Sequence, residues 1–66
     1  MLIERLKSCR KSKGVTQKQV AEYLNMTERG YQNYELGRGE PNIENLIRLA
    51  DFFDVSIDYL VGRTNH

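Results

Sequence analysis

The chain has 66 residues, 39% of them hydrophobic and 29% charged, with a net charge of +1. That balance is globular and excludes disorder, and the length allows one domain that buries only roughly 60% of its unfolded surface. No apolar run reaches the roughly 18 residues of a membrane span, the opening Met1-Leu2-Ile3-Glu4 lacks the basic and apolar regions of a secretory signal, and one cysteine, Cys9, excludes an internal disulfide.

A single domain over residues 1–66 in a reducing cytoplasm is therefore the expectation. Five short helices are predicted, and no strands. Leu2, Ile3, Leu6 and Cys9 recur at helical spacing from residue 2 to about 13, with Arg5, Lys7, Arg10, Lys11 and Lys13 between and beyond them. Gly14 marks the stop. Thr16, with Gln19 three residues on, has the pattern of a capping box and opens a second helix with Val20, Ala21 and Leu24 on its inner face. Asn25 follows, a residue that tolerates the left-handed conformation of a tight turn.

Thr27 is the next cap, and Glu28 sits in the first turn, where a carboxylate suits the helix dipole. The third helix runs to about Leu36, and Gly37-Arg38-Gly39-Glu40-Pro41 is the strongest breaker in the chain. Asn42 caps a fourth helix with Ile43, Leu46, Ile47, Ala50 and Phe53 on its inner face. Ser56 caps a last turn from Ile57 to Val61, closed by Gly62. With no internal repeat or low-complexity tract, the reading is one all-α bundle.

Two features point to function. Residues 1–39 carry eight Lys/Arg against four Asp/Glu, whereas residues 40–66 carry two against five. A basic front and acidic rear suit a face that meets a polyanion, although chance asymmetry on a solvated surface gives the same count. The second and third helices are joined by only Asn25-Met26-Thr27, which forces a steep crossing of the helix-turn-helix kind. Ala21 supplies the small contact residue, and Val20, Leu24, Met26, Tyr31 and Tyr34 seal the inner faces.

On the third helix Glu28, Arg29, Gln32 and Asn33 fan over roughly 140° of one side, opposite Tyr31 and Tyr34, with no aliphatic residue on that side until Leu36. Arg suits guanine, Gln or Asn adenine, and Glu can accept from cytosine. A solvated helix face is the competing reading of the same residues.

The runs Gly14-Val15-Thr16-Gln17-Lys18-Gln19-Val20-Ala21, Tyr34-Glu35-Leu36-Gly37-Arg38-Gly39-Glu40-Pro41, Leu46-Ile47-Arg48-Leu49-Ala50 and Val55-Ser56-Ile57-Asp58-Tyr59-Leu60-Val61-Gly62 resemble the phage-repressor/Cro-type, or XRE-type, helix-turn-helix family over nearly the whole chain. The resemblance implies a compact five-helix, lambda-repressor-like domain that binds double-stranded DNA as a transcriptional regulator, with the third helix in the major groove. It assigns base reading to Glu28, Arg29, Gln32 and Asn33, with Thr27 at the margin. It assigns phosphate contacts to Gln17 and Arg38, while Lys13, Lys18 and Lys11 are placed by charge alone. It also implies a structural ion pair, Arg10 with Glu35, buried between helices.

Three positions depart from the family pattern. Gly30 lies inside the third helix, where Gly costs about 1 kcal/mol relative to Ala. Glu28 is a carboxylate near DNA phosphates and either faces a cytosine amine or serves only the helix dipole. Tyr31 stands where an aliphatic residue is usual, so its hydroxyl needs a partner or solvent.

Surplus apolar residues Phe52, Ile57, Tyr59 and Val61 are candidates for the self-complementary patch of a homodimer on a palindromic operator, unless some of them close the core. A repressor is the expected role. A protein-interaction module, such as an antitoxin or inhibitor on the same fold, is the rival reading. No enzyme, metal, cofactor, membrane or small-molecule substrate is expected: His66 is terminal, Cys9 has no histidine nearby in sequence, and no phosphate-binding glycine loop is present.

Overall fold

A computed structural model of the chain describes residues 1–64, so His66 lies outside the described residues. Five helices follow in order: α1 (Ile3–Lys13), α2 (Gln17–Tyr23), α3 (Glu28–Leu36), α4 (Ile43–Phe53) and α5 (Ile57–Val61). No strand occurs among the described residues.

The helix starts are fixed by the capping chemistry that the sequence implied. The Thr16 hydroxyl accepts from the Gln19 amide at 3.1 Å, and the Gln19 side-chain oxygen accepts from the Thr16 amide at 2.8 Å. The Thr27, Asn42 and Ser56 side chains accept from the amides of Gly30, Asn45 and Tyr59. Each such cap contributes about 1 kcal/mol. Four helix ends share a second device. Gly14, Gly37, Asp54 and Gly62 take left-handed φ values between 56° and 86°. The amides of Val15, Arg38, Val55 and Arg63 then reach back to Arg10, Asn33, Ala50 and Asp58, closing orphaned carbonyls.

The start of α1 has no side-chain cap. The Leu2 amide instead donates to the Leu60 carbonyl at 2.8 Å, and the Leu2 side chain lies against Gly62, where a Cβ would come within 2.9 Å of it. Arg5 also donates to the Tyr59 carbonyl at 2.7 Å and rests on the Tyr59 ring, so α1 and α5 are clamped together.

The core draws on every helix: Leu6, Val20, Ala21, Leu24, Tyr31, Leu49, Ala50 and Leu60 are buried. Burying each large apolar side chain contributes about 1.5–3 kcal/mol before entropy is counted. Ala21, the small residue expected where α2 and α3 touch, is buried. Cys9 is half-buried against this core, and burial pushes its thiol pKa up, which suppresses the reactive thiolate.

Three details differ from expectation. The α2 helix stops at Tyr23, and Leu24 is its cap residue while remaining buried. On α4, Ile43 and Ile47 are 72% and 44% exposed, and Leu49 is the fully buried residue instead. The apolar arc of that helix is wider than the core it meets, and packing by α1 and α5 selects the Leu46-Leu49-Ala50-Phe53 side. The Tyr31 hydroxyl reaches neither solvent nor a hydrogen-bond partner among the described residues. The phenol ring fills the core volume of an aliphatic residue and buries its oxygen with it.

Candidate nucleic-acid interface

The candidate reading face is set by the phase of α3. Tyr31 is buried, and Tyr34 packs half-buried against it edge-to-face, with ring centroids 6.1 Å apart. The Asn45 carboxamide donates to the Tyr34 hydroxyl at 3.1 Å, linking α3 to α4. These contacts hold one side of α3 inward and turn Glu28, Arg29, Gln32 and Asn33 outward. Glu28 and Arg29 are exposed, and Gln32 and Asn33 are half-exposed. Among the described residues, none of these four side chains hydrogen-bonds to its own chain. Their donors and acceptors are uncommitted.

Thr27 is exposed beside them, but its hydroxyl oxygen is engaged as the cap of α3, 3.0 Å from the Gly30 amide. A Cβ at Gly30 would lie 2.9 Å from the terminal methyl of Met26, the flexible end of a side chain, and 3.2 Å from the Thr27 hydroxyl oxygen, so a larger residue there needs only a small local shift.

Behind the stripe sits one buried carboxylate. Glu35 is 3% exposed and accepts from Arg10 Nε at 2.6 Å and Arg10 Nη2 at 3.2 Å. It also accepts from Gln17 Nε2 at 3.1 Å. The expected Arg10–Glu35 pair is present, and it recruits Gln17, which the sequence did not suggest. One acidic side chain therefore ties α1, the first residue of α2, and α3.

Burial alone would raise the Glu35 carboxyl. The donors from Arg10 and Gln17, with the Arg10 charge beside them, outweigh that and hold it below the ordinary 4.5. Its hydrogen bond to Glu35 correspondingly pushes the Arg10 pKa upward. Tyr31 feels the carboxylate without meeting hydrogen-bond geometry, and burial first, then Glu35, pushes its pKa far above the usual phenol range.

The structure sorts the candidate phosphate contacts. Gln17 lines a shallow groove together with Lys7, Arg10, Lys11, Gln32 and Leu36. One N–H of the Gln17 carboxamide is taken by Glu35, which leaves the other N–H and the carbonyl oxygen. Lys18 and Arg38 are exposed. Lys13 is turned elsewhere: its ammonium lies 5.1 Å from the centroid of the Phe52 ring, and it lines a separate cavity with Ser12, Cys9, Phe53 and Tyr59.

Lys7, which sequence reasoning passed over, shares the groove with Gln17 and Gln32. Its only signal was the spacing of four to Lys11 on the same helix face.

Of the four residues proposed for a dimer patch, Ile57 stands 38% exposed and Phe52, Tyr59 and Val61 are half-buried. Phe52 stacks on Tyr23 at 4.6 Å and on Phe53 at 5.2 Å, so much of its surface is used within its own chain. Among the described residues no helix is long and apolar enough to cross a membrane, and no group of three or more His, Cys, Asp or Glu could hold a metal ion.

Comparison with known proteins agrees with this geometry. Residues 6–60 match the helix-turn-helix family. The chain is 43% identical over 65 residues to an SPbeta prophage-derived, uncharacterized HTH-type transcriptional regulator of Bacillus subtilis, covering 98% of this chain and 60% of that protein. It is 43% identical over 60 residues to the cryptic phage CTXphi transcriptional repressor of Vibrio cholerae, covering 91% and 54%. The chain thus spans little more than half the length of these relatives.

Among solved structures, the DNA-binding domain of the P22 C2 repressor superimposes with a TM-score of 0.83 at 29% identity, covering 92% of this chain and 82% of that one. A transcriptional regulator from Listeria innocua gives 0.86 at 45% identity, covering 91% and 56%. Fold, capping pattern and sequence converge, and the chain belongs to the phage-repressor/Cro-type helix-turn-helix family.

Proposed function

We propose that this chain binds double-stranded DNA sequence-specifically and regulates transcription, as a repressor dimer on a palindromic operator in the cytoplasm. The observation that carries the reading is the α3 stripe: four polar side chains, turned outward and uncommitted, on a helix held rigidly from behind. Arg29 is suited to guanine, Gln32 and Asn33 to adenine, and Glu28 to a cytosine amine, with Thr27 at the edge. Gln17, Lys18 and Arg38 hold phosphates, and Lys13 contributes only if it leaves the Phe52 ring. The repressor role is supported by two similar proteins that are repressors, those of phages CTXphi and P22.

Dimerisation follows from affinity. A domain of this size neutralises few phosphates, and two-fold pairing doubles them on half-sites about one helical turn apart. Ile57 is the exposed centre available for that contact.

Selection of bound duplexes from a random pool, followed by footprinting at several salt concentrations, tests the whole reading. A two-fold consensus is expected, with affinity falling at a slope of roughly −0.9 per phosphate contacted. A chain that selects nothing, leaves no footprint and instead holds a protein partner tightly is an interaction module, and the reading fails.

A further inference from the structure

One residue on the outward side of α3 has no polar chemistry and lies outside the buried core. Leu36 ends α3 and is 57% exposed. At 100° per residue it falls between Gln32 and Arg29 in azimuth, about the middle of the polar stripe. It lies eight residues beyond Glu28, roughly 12 Å along the axis, which is about the width of the major groove.

An exposed leucine here is not a remnant of the core. Its neighbours in the groove are Lys7, Arg10, Lys11, Gln17, Gln32 and Glu35; the Glu35 charge is met by Arg10, which leaves two lysines and two amides to face a polyanion. The occupant that matches both the charge of that wall and the apolar side chain within it is duplex DNA that offers a methyl group at its groove edge.

From this placement we infer that Leu36 is a specificity-determining residue that reads thymine through its 5-methyl group. Thymine is the only standard base with an apolar group in the major groove. That methyl projects from the pyrimidine edge toward the backbone of its own strand, the side on which Gln17 and the two lysines would hold phosphate. Gln32, one turn earlier on α3, addresses the neighbouring base, so Leu36 extends the reading site by one step past the four polar residues. The inference rests on the DNA-binding reading above and deepens it.

The test uses the whole chain and the duplexes it selects from a random pool. Each thymine of one half-site is replaced singly by deoxyuridine, which removes the methyl and nothing else. Wild-type protein is expected to lose about threefold to fivefold in affinity at one position adjacent to the Gln32 contact, the value of one buried methyl. Leu36→Ala is expected to bind more weakly and to be insensitive to that same replacement, with its thermal midpoint unchanged because the side chain is exposed.

Two results overturn the inference. In one, Leu36→Ala retains the wild-type response to every deoxyuridine. In the other, it weakens all duplexes alike, which would mark a sugar or backbone contact. If wild-type protein selects no duplex at all, the broader DNA-binding reading has failed, and that outcome is distinct from both.

Discussion

Replacing Arg10 by alanine removes the ion pair on which the arrangement of three helices depends, together with a 3.2 Å hydrogen bond from Arg10 to the Val15 carbonyl. Glu35 is 3% exposed and the Arg10 side chain 17%, with hydrogen bonds of 2.6 and 3.2 Å between them. Without the guanidinium the carboxylate keeps only the neutral Gln17 donor. An orphaned buried charge of this kind costs about 3–5 kcal/mol. A chain of this length holds roughly 3–10 kcal/mol in total, so the variant loses a large part of its stability. At about 4–8 °C per kcal/mol for a domain of this size, the thermal midpoint drops by at least ~12 °C.

The assay is urea and thermal unfolding at pH 7 followed by far-ultraviolet circular dichroism. Arg10→Met combined with Glu35→Leu supplies the control, because it removes both charges and fills their space. It is expected to recover most of the loss, since well-packed apolar replacements of a buried pair are often neutral or stabilising. A cost below about 1 kcal/mol for Arg10→Ala alone would mean that the pair behaves like a solvated surface contact, and the argument from burial would be refuted.

The same carboxylate predicts the acid limb of stability. Glu35 titrates below 4.5 when folded, so its contribution is complete above that value and disappears as pH falls through the lower folded pKa; an acid titration of unfolding free energy checks this, and the doubly apolar variant should show a flatter limb. Tyr31→Phe removes a buried hydroxyl that makes no hydrogen bond and is expected to change stability by less than about 1 kcal/mol in unfolding experiments, whereas a larger loss would reveal a bond to Glu35. Arg29→Ala and Gln32→Ala are each expected to cost about 1–3 kcal/mol of binding and to relax preference at one base position, read by competition among single-base operator variants with fold unchanged. Gln17→Ala should weaken every duplex alike, and should also lower stability slightly, because Glu35 loses a donor.

Local chemistry made most of the fold legible. Thr16, Thr27, Asn42 and Ser56 each cap the helix expected of them, because a cap needs only its own side chain and an amide three residues away. The outward stripe of α3 was legible for a related reason: Tyr31 and Tyr34 fix the phase of that helix from within.

What escaped depends on how helices are rotated against one another. The apolar residues of α4 suggest a face centred about 45° away from the one that packs, a face that includes the exposed Ile43 and Ile47 and leaves out the buried Leu49. Lys7 and the Gln17–Glu35 bond were invisible because they depend on where α1 and α2 sit beside α3. Asp54 ends α4 in a left-handed conformation at φ 56°, which asparagine and glycine signal more strongly than aspartate does.

The division of labour on α3 follows from these facts. Its inward side carries the constraints: Tyr31 in the core, Tyr34 bonded to Asn45, and Glu35 bound to residues of two other helices. Its outward side carries none, since Glu28, Arg29, Gln32 and Asn33 hold nothing within their own chain among the described residues. A change among those four therefore leaves the buried network and the caps untouched, and alters only the pattern of donors and acceptors on the outward face. Packing and surface chemistry are separable on one nine-residue helix because 3.6 residues per turn assign them to different sides.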